Sequence, residues 1–305
     1  MRRLLLLCLC VSAAGSAAAG PGVIEIDHPE AFSRVVAVSD AHGMADPLKA
    51  LLRAGGVIDA RDHWAGGSTL LIVVGDSIDK GPDSVAVVDL WRSLQPEAAA
   101  AGGRLVHLLG NHEAEFLADP QDKKAKAFRQ ELKAKGIPIE DFTDPGRPRA
   151  AFLRAEPVAA RVGKWLFAHA GLLPAGRWAD FTAKAASLGG YDDDLLLADD
   201  SILEAKAWWA DAAQRADLES RLSSGGLYGV VFGHQPKALG VEGACARSTD
   251  GRLIKIDNGM PPEAGAHPGS LLVFPHPADL ATAAPPQALT IPAAGGTRPL
   301  AVEAP

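Results

Sequence analysis

Seven short runs of nearly unbroken apolar residues punctuate the chain, at 34–38, 69–74, 104–109, 164–168, 228–232, 253–256 and 270–274. Continuous rather than alternating apolar character predicts strands covered on both faces. The stretches 47–54 and 84–94, between the first three runs, carry helical patterning. Strand, loop, helix, repeated, predicts an α/β fold, in which ligands collect outside the carboxyl ends of the strands. Polar residues stand at those ends. Ser39-Asp40-Ala41-His42-Gly43 follows the first run, Gly75-Asp76-Ser77-Ile78-Asp79-Lys80-Gly81 the second and Gly110-Asn111-His112-Glu113 the third. His169 follows the fourth, Gly233-His234 the fifth, and Asp257-Asn258-Gly259 lies between the last two.

Two stretches break the rhythm. Residues 114–160 and 175–225 are helix-prone or irregular, charged, and include Trp208-Trp209, so they are expected to form a helical cap over the site. Ten of the 22 prolines fall in 261–305, and beyond 274 the composition predicts a Pro/Ala-rich tail, 275–305, mostly extended or disordered.

The N-terminus has a different logic. Arg2 and Arg3 precede the apolar run 4–11 and a string of small residues ending in Ala17-Ala18-Ala19. This is the pattern of a signal peptide, 1–19, cleaved after Ala19, which places the mature chain in the periplasm or outside the cell. The run is too short to cross a bilayer, so no stable membrane anchor is expected. Cys8 and Cys10 depart with the signal, leaving Cys245 alone and no internal disulfide; stability must come from packing or metal. The chain is acidic, with a net charge of −7 and a pI near 5.7, which argues against a nucleic-acid partner.

Asp40, His42, Asp76, Asn111, His169 and His234 offer oxygen and nitrogen ligands without a thiolate, a set that suits manganese, iron or zinc. Six such residues are too many for one tetrahedral zinc and enough for two ions sharing a carboxylate. Two ions roughly 3.5–4 Å apart can activate a water and neutralise a phosphoryl group during in-line displacement, so the residues point to phosphoester hydrolysis.

Taken in order, Ser-Asp-Ala-His-Gly, Gly-Asp-Ser-Ile-Asp-Lys-Gly, Gly-Asn-His-Glu, His-Ala-Gly-Leu and Gly-His-Gln-Pro resemble the motifs of calcineurin-like metallophosphoesterases, over about residues 34–260. The second and third motifs are similar to those of the phosphoprotein phosphatase family, in particular its bacterial Shewanella-like branch, as is Asp257-Asn258-Gly259-Met260. The C-terminal signature of the eukaryotic protein phosphatases is missing. The resemblance implies a four-layer sandwich, two facing mixed β-sheets flanked by helices, over 20–274. It implies Asp40 and His42 on one metal, Asp76 between both, and Asn111, His169 and His234 on the other. It also makes His112 the general acid, with Asp79 holding its imidazole, and it puts Lys80, Asn111 and a cap arginine on the substrate phosphate. Arg149, Arg154 and Arg215 are the candidates for that arginine, with Arg154 the one adopted. Lys80 stands where the family usually has arginine, and an ammonium cannot reproduce a guanidinium's bidentate grip.

The resemblance thus implies two divalent ions, manganese with iron or zinc as alternatives, and a phosphorylated protein or peptide as substrate. A dinucleoside polyphosphate or small phosphomonoester is the alternative substrate, and an inactive metal- or phosphate-binding protein the non-enzyme alternative. Outside this set, His107 within its apolar run reads as a core histidine, Glu113 as a turn-fixing residue, Trp208-Trp209 as cap packing and Asp192-Asp193-Asp194 as a solvated loop.

Overall fold

Each apolar run becomes a strand whose alternate positions serve different layers, and this decides the architecture. In the strand Arg34–Val38, Val35 and Ala37 join one buried cluster while Val36 and Val38 join another; in Thr69–Val74, Leu70, Ile72 and Val74 separate in the same way from Leu71 and Val73. The computed structural model describes residues 21–304. In chain order the elements are β1 (Val23–Ile26), β2 (Arg34–Val38), α1 (Ala45–Ala54), β3 (Thr69–Val74), α2 (Ser84–Ala100), β4 (Arg104–Leu108), α3 (Asn111–Ala118), α4 (Lys126–Ala134), α5 (Glu140–Thr143) and α6 (Pro148–Arg154). Then come β5 (Ala159–Val162), β6 (Trp165–Ala168), α7 (Trp178–Ala186), α8 (Asp194–Leu197), α9 (Ala212–Ser224), β7 (Gly229–Phe232), β8 (Ala246–Arg247) and β9 (Leu253–Lys255). The last are β10 (Ser270–Phe274), β11 (Leu289–Pro292), β12 (Arg298–Pro299) and β13 (Ala301–Val302).

One sheet runs β12-β11-β10-β2-β3-β4 and the other β1-β5-β6-β7-β9-β8-β13. Both are mixed: β2, β3 and β4 are mutually parallel with β10 antiparallel to β2, and β6, β7 and β9 are parallel with β5 antiparallel to β6. The two sheets face each other across a core of Val35, Ile72, Val106, Trp165, Phe167 and Val231. The outer face of the first sheet packs on α1 and α2 through residues such as Leu48, Leu52, Val87 and Trp91. The outer face of the second packs on the cap helices through Leu166, Val230 and Phe232. Helix, sheet, sheet, helix is the expected four-layer sandwich, and it sets the carboxyl ends of β2, β3, β4, β6 and β7 together.

Several expectations are corrected. The first cap stretch ends earlier than residue 160, because Ala159–Val162 is β5, paired with both β1 and β6. Helix α2 runs through Pro96 to Ala100, where three alanines continue the turn and buried Ala98 anchors it. The segment expected as an extended or disordered tail is extended but paired: β11 adds to β10, β12 to β11, and β13 to β8 in the other sheet. Two of its prolines, Pro292 and Pro299, fall at strand ends, where a missing N–H costs little. Between them and β10, Leu280 is buried in the core that joins the sheets. Residues 1–19, expected to be a signal peptide, lie outside the described residues. Among the described residues no helix is long and apolar enough to cross a membrane. Cys245 is buried as a free thiol against Ser270.

If the C-terminal segment is structural, Leu280→Ala should cost about 2–5 kcal/mol, the range for deleting a buried leucine side chain. Chemical denaturation measures it, and a loss within about 0.5 kcal/mol would return the segment to the status of a tail.

Candidate metal centre

The loops that follow β2, β3 and β7 are strained where they carry chemistry. Among the described residues ten non-glycine positions have positive φ, and six of them are Asp40, His42, Asp76, Asp79, Lys80 and His234. Such conformations cost of order 1–3 kcal/mol each and persist only where the surroundings enforce them. The enforcement is visible. The first loop is laced to the second by Asp40 N–H to the Gly75 carbonyl, His42 N–H to that of Asp76 and Gly43 N–H to that of Ser77. The second is clamped to the third by one side chain. The fully buried Glu113 carboxylate accepts from the N–H groups of Asp76 (2.9 Å), Ser77 (2.7 Å), Ile78 (3.0 Å) and Gly110 (3.1 Å). The loops lie so close that a Cβ on Gly110 would sit 2.2 Å from Asp76 Oδ1, and one on Gly75 (φ 78°) would sit 2.6 Å from the Gly110 Cα. Only glycine fits at either position.

Inside this frame, acceptors converge. His169 donates from Nδ1 to the Val74 carbonyl (2.9 Å), so its Nε2 lone pair faces Asp76 Oδ2 (3.3 Å) and Asn111 Oδ1 (3.0 Å). His42 likewise donates from Nδ1 to the Ile78 carbonyl (3.1 Å), leaving Nε2 at 3.3 Å from Asp76 Oδ2 and 3.8 Å from Asp40 Oδ1. His234 Nε2 is buried with no hydrogen-bond partner. Asp40 accepts the His234 backbone N–H. Lone pairs pointed at lone pairs repel unless a cation lies among them. Burial, with the charge of Asp257 beside it, pushes Asp40 well above the usual carboxylate range. Asp76 is also buried, yet the imidazoles of His169, His112 and His42 hold it well below that range. His169, despite burial, is pushed up to about 10 by Asp76 and Asp40. A proton on His169 is the least cation that satisfies the cluster; metal ions satisfy it better. Two groups of potential ligand atoms, each within 4.8 Å, share Asp76: His169 and His234 join it in one, His42 and His112 in the other, where the His112 Nδ1 is tied to Asp79 and Asp40 Oδ1 lies 3.8 Å from His42 Nε2. That sharing fits two ions with one bridging carboxylate.

A sequence profile of the calcineurin-like phosphoesterases matches residues 33–257. The chain belongs to this family. Shewanella-like protein phosphatase 2 of Arabidopsis thaliana is 25% identical in an alignment that covers 74% of this chain and 71% of that protein. A symmetrical bis(5'-nucleosyl)-tetraphosphatase of Acidovorax sp. is 33% identical over 141 residues, 45% of this chain and 43% of that one. The cold-active protein-tyrosine phosphatase of a psychrophilic Shewanella sp. superposes with a TM-score of 0.71 at 20% identity, over 92% of this chain and 82% of that chain, a likeness of fold. The phosphoesterase is therefore a hydrolase of the type whose centre holds two divalent metals.

The remaining expected residues divide. His112 donates its backbone N–H to Asp76 Oδ1 (3.1 Å), and its Nδ1 is bonded to Asp79 Oδ2 (3.0 Å), which leaves Nε2 as the atom for chemistry. Burial opposes the imidazolium, but Asp76 and Asp79 outweigh it and raise His112 above the ordinary histidine range. Asp79 is fixed in turn by the Phe128 N–H of α4 (3.1 Å), so the cap reaches the centre through that carboxylate. Lys80 places Nζ 2.9 Å from His42 Nε2. An ion on that nitrogen requires the ammonium to move off it.

The phosphoesterase does not bring Arg154 to the centre: its guanidinium donates to the Thr143 carbonyl and stacks over Tyr191. Arg149 is spent on Asp89 and Asp141, and Arg215 on Glu303. All three serve the packing of the cap, a long-range outcome that an arginine's position in the chain cannot disclose.

Sequence reasoning also missed residues. Glu204 accepts from Asn111 Nδ2 (3.2 Å), which turns the Asn111 carbonyl towards His169 Nε2. Lys255, fully buried in β9, donates to the carbonyls of Pro236 (2.9 Å), Val241 (2.8 Å) and Asp257 (2.9 Å), tying the loop after His234 to the Asp257 turn. Asp257 itself is pushed up to about 6, chiefly by burial. His107, read as a core histidine, binds Ser77 Oγ (2.7 Å) beside Asp76 and lies 3.0 Å from buried Glu156. The Asp-Asp-Asp run contributes a helix cap, Asp193 accepting from Leu195 N–H, and pairs with Lys184. A lysine inside an apolar strand run was the one available signal for Lys255.

Glu113→Gln replaces half of a four-fold acceptor with a donor that faces donors. It should cost about 2–4 kcal/mol, because buried N–H groups lose a charged partner. Chemical denaturation of the metal-free chain measures this independently of activity, and an unchanged midpoint would deny Glu113 its clamping role.

Proposed function

We propose that this phosphoesterase removes phosphate from phosphoproteins or phosphopeptides, at phosphoserine, phosphothreonine or phosphotyrosine. The observation that carries the reading is the convergence of Asp76, His169, Asn111 and His42 acceptors beside a histidine whose Nδ1 is held by a carboxylate. The likeness to a Shewanella-like protein phosphatase over 74% of the chain, against 45% for a tetraphosphatase, favours a phosphoprotein over a dinucleoside polyphosphate.

Asp40 and His42 would hold one ion, Asn111, His169 and His234 the other, and Asp76 both. When bound, the ions supply Lewis-acid activation of a water and neutralise phosphoryl charge. Nitrogen and oxygen donors with an amide carbonyl suit manganese best, with iron or zinc as alternatives. The chain's own part is orientation and proton transfer. Glu204 turns the Asn111 amide, and the Val74 and Ile78 carbonyls fix the tautomers of His169 and His42 so that Nε2 faces inward. Lys80, freed from His42, provides a point charge for a phosphate oxygen. His112, oriented by Asp79, donates a proton from Nε2 to the leaving oxygen; the intact pair speaks against an inactive binding protein.

A panel of phosphopeptides, diadenosine tetraphosphate and simple monoesters, assayed with the purified mature chain in manganese, tests the reading. Phosphopeptides should give the highest kcat/KM; a clear preference for the tetraphosphate would replace the proposal with its alternative.

If His112 is the proton donor, His112→Asn should lower turnover of an alkyl phosphate roughly 10²- to 10⁴-fold with both metals bound, and less for an aryl phosphate with an acidic phenol. Asp79→Asn should show the same dependence in weaker form, and the double variant should be no worse than His112→Asn. Equal losses across leaving groups would make His112 a phosphate-positioning residue.

The basic start, short apolar run and Ala17-Ala18-Ala19 support export to the periplasm or beyond. N-terminal sequencing of protein from a secreting host should begin near Gly20, and a soluble product retaining Met1 would refute export.

A further inference from the structure

The cavity onto which His112 opens, about 390 Å³, is lined by His112, Asp79 and Lys80 and by Lys123, Lys124 and Lys126. These last three lysines belong to the 3-10 turn and first residue that lead into α4. Positive side chains at a helix start oppose its dipole and repel one another, so helix stability does not call for them. Lys124 is engaged with Glu115 and Glu204, but Lys123 and Lys126 are exposed and take part in no ion pair among the described residues. Two carboxylates also line the cavity: Asp79, committed to His112 and Phe128, and Glu263. In a chain of net charge −7 such a concentration of positive charge is local and one-sided. The larger cavity of the second cap stretch, about 900 Å³, is lined instead by Asp193, Asp194, Asp199, Asp200 and Asp217, with fewer cations to balance them.

A proton passed from His112 requires the leaving oxygen within roughly 2.6–3.2 Å of its Nε2. The rest of the leaving group then occupies the cavity that His112 lines. We propose that this lysine-lined cavity is the leaving-group subsite and that it selects phosphoesters whose leaving group is itself anionic. In a peptide this means a phosphorylated residue flanked by aspartate, glutamate or further phosphate. The inference rests on the phosphatase reading above and gives it a substrate class. Lys123 and Lys126 read charge near the mouth of the site, where each contact is solvated and contributes modestly, so selectivity is set by their sum and weakens with salt.

The test is steady-state kcat/KM of the mature, manganese-loaded chain on phosphopeptides that differ only in flanking Asp/Glu, Ala or Lys, with diadenosine tetraphosphate and p-nitrophenyl phosphate alongside. The acidic peptide should exceed the alanine peptide about three- to tenfold at low salt, and the ratio should fall towards one as potassium chloride is raised. Lys123→Glu/Lys126→Glu should reverse the order in favour of the lysine-flanked peptide. Lys123→Gln/Lys126→Gln should abolish the preference, and it serves if the charge-reversed chain folds poorly. A wild-type enzyme indifferent to flanking charge, or a preference that survives in the variants, overturns the subsite. A lysine-dependent advantage confined to the tetraphosphate overturns the peptide as the source of the anion. No turnover of any phosphoester, p-nitrophenyl phosphate included, overturns the phosphatase reading itself.

Discussion

A single buried carboxylate, that of Glu113, holds the metal-binding loops in register. By accepting four backbone N–H groups from two loops it lets Asp76 adopt a positive φ and present both oxygens inward, one towards His42 and His169 and the other to the His112 backbone. The glycines at 75 and 110 make that approach possible, because a Cβ at either would collide with the opposing loop. Everything chemical follows from this constraint. Once the loops are pinned, acceptors converge on a small volume that only protons or metal ions can make stable, so the fold stores strain and unbalanced charge where catalysis needs a cation.

The surroundings divide the labour. The first cap stretch reaches the centre through the Phe128 N–H on Asp79 and through the Glu131 carboxylate, which accepts from Ser84 and Val85 at the start of α2. On the far side, Lys255 spends a buried charge on three carbonyls and steadies the loop bearing His234. An ammonium so placed is costly to bury and is tolerated because every donor is used. Charge along the cap is uneven, basic beside His112 and acidic in the second cap stretch.

Much of the sandwich, and which polar residues gather at its strand ends, could be read from the chain because both are local in origin. Runs such as 69–74 are apolar on both faces, and their polar ends, Asp76 or Asn111, follow within a few residues. Where reading failed, the deciding partner was distant. Strand β5, whose first two residues fell in the expected cap, escaped the reading because its partners β1 and β6 are not marked by its own composition. The C-terminal segment looked like a tail because its prolines dominate its composition, while β11 owes its place to pairing with β10. Arg154 looked available for phosphate until Thr143 and Tyr191 claimed it.

The sequence by itself determined which residue types stand at the strand ends, and therefore the family, the donor chemistry and the pairing of His112 with Asp79. Apolar period and turn residues are short-range signals, and so they survive in one dimension. Only the tertiary structure decided how those ends are oriented: which nitrogen of each histidine faces inward, which way the Asn111 amide points, which arginines are already committed and where the lysines of the α4 entry gather. The orientations of the histidines and the amide depend on hydrogen bonds between residues dozens of positions apart, as with Glu204 on Asn111 or Val74 on His169. Such partners are chosen by packing, and packing exists only after the chain has closed on itself.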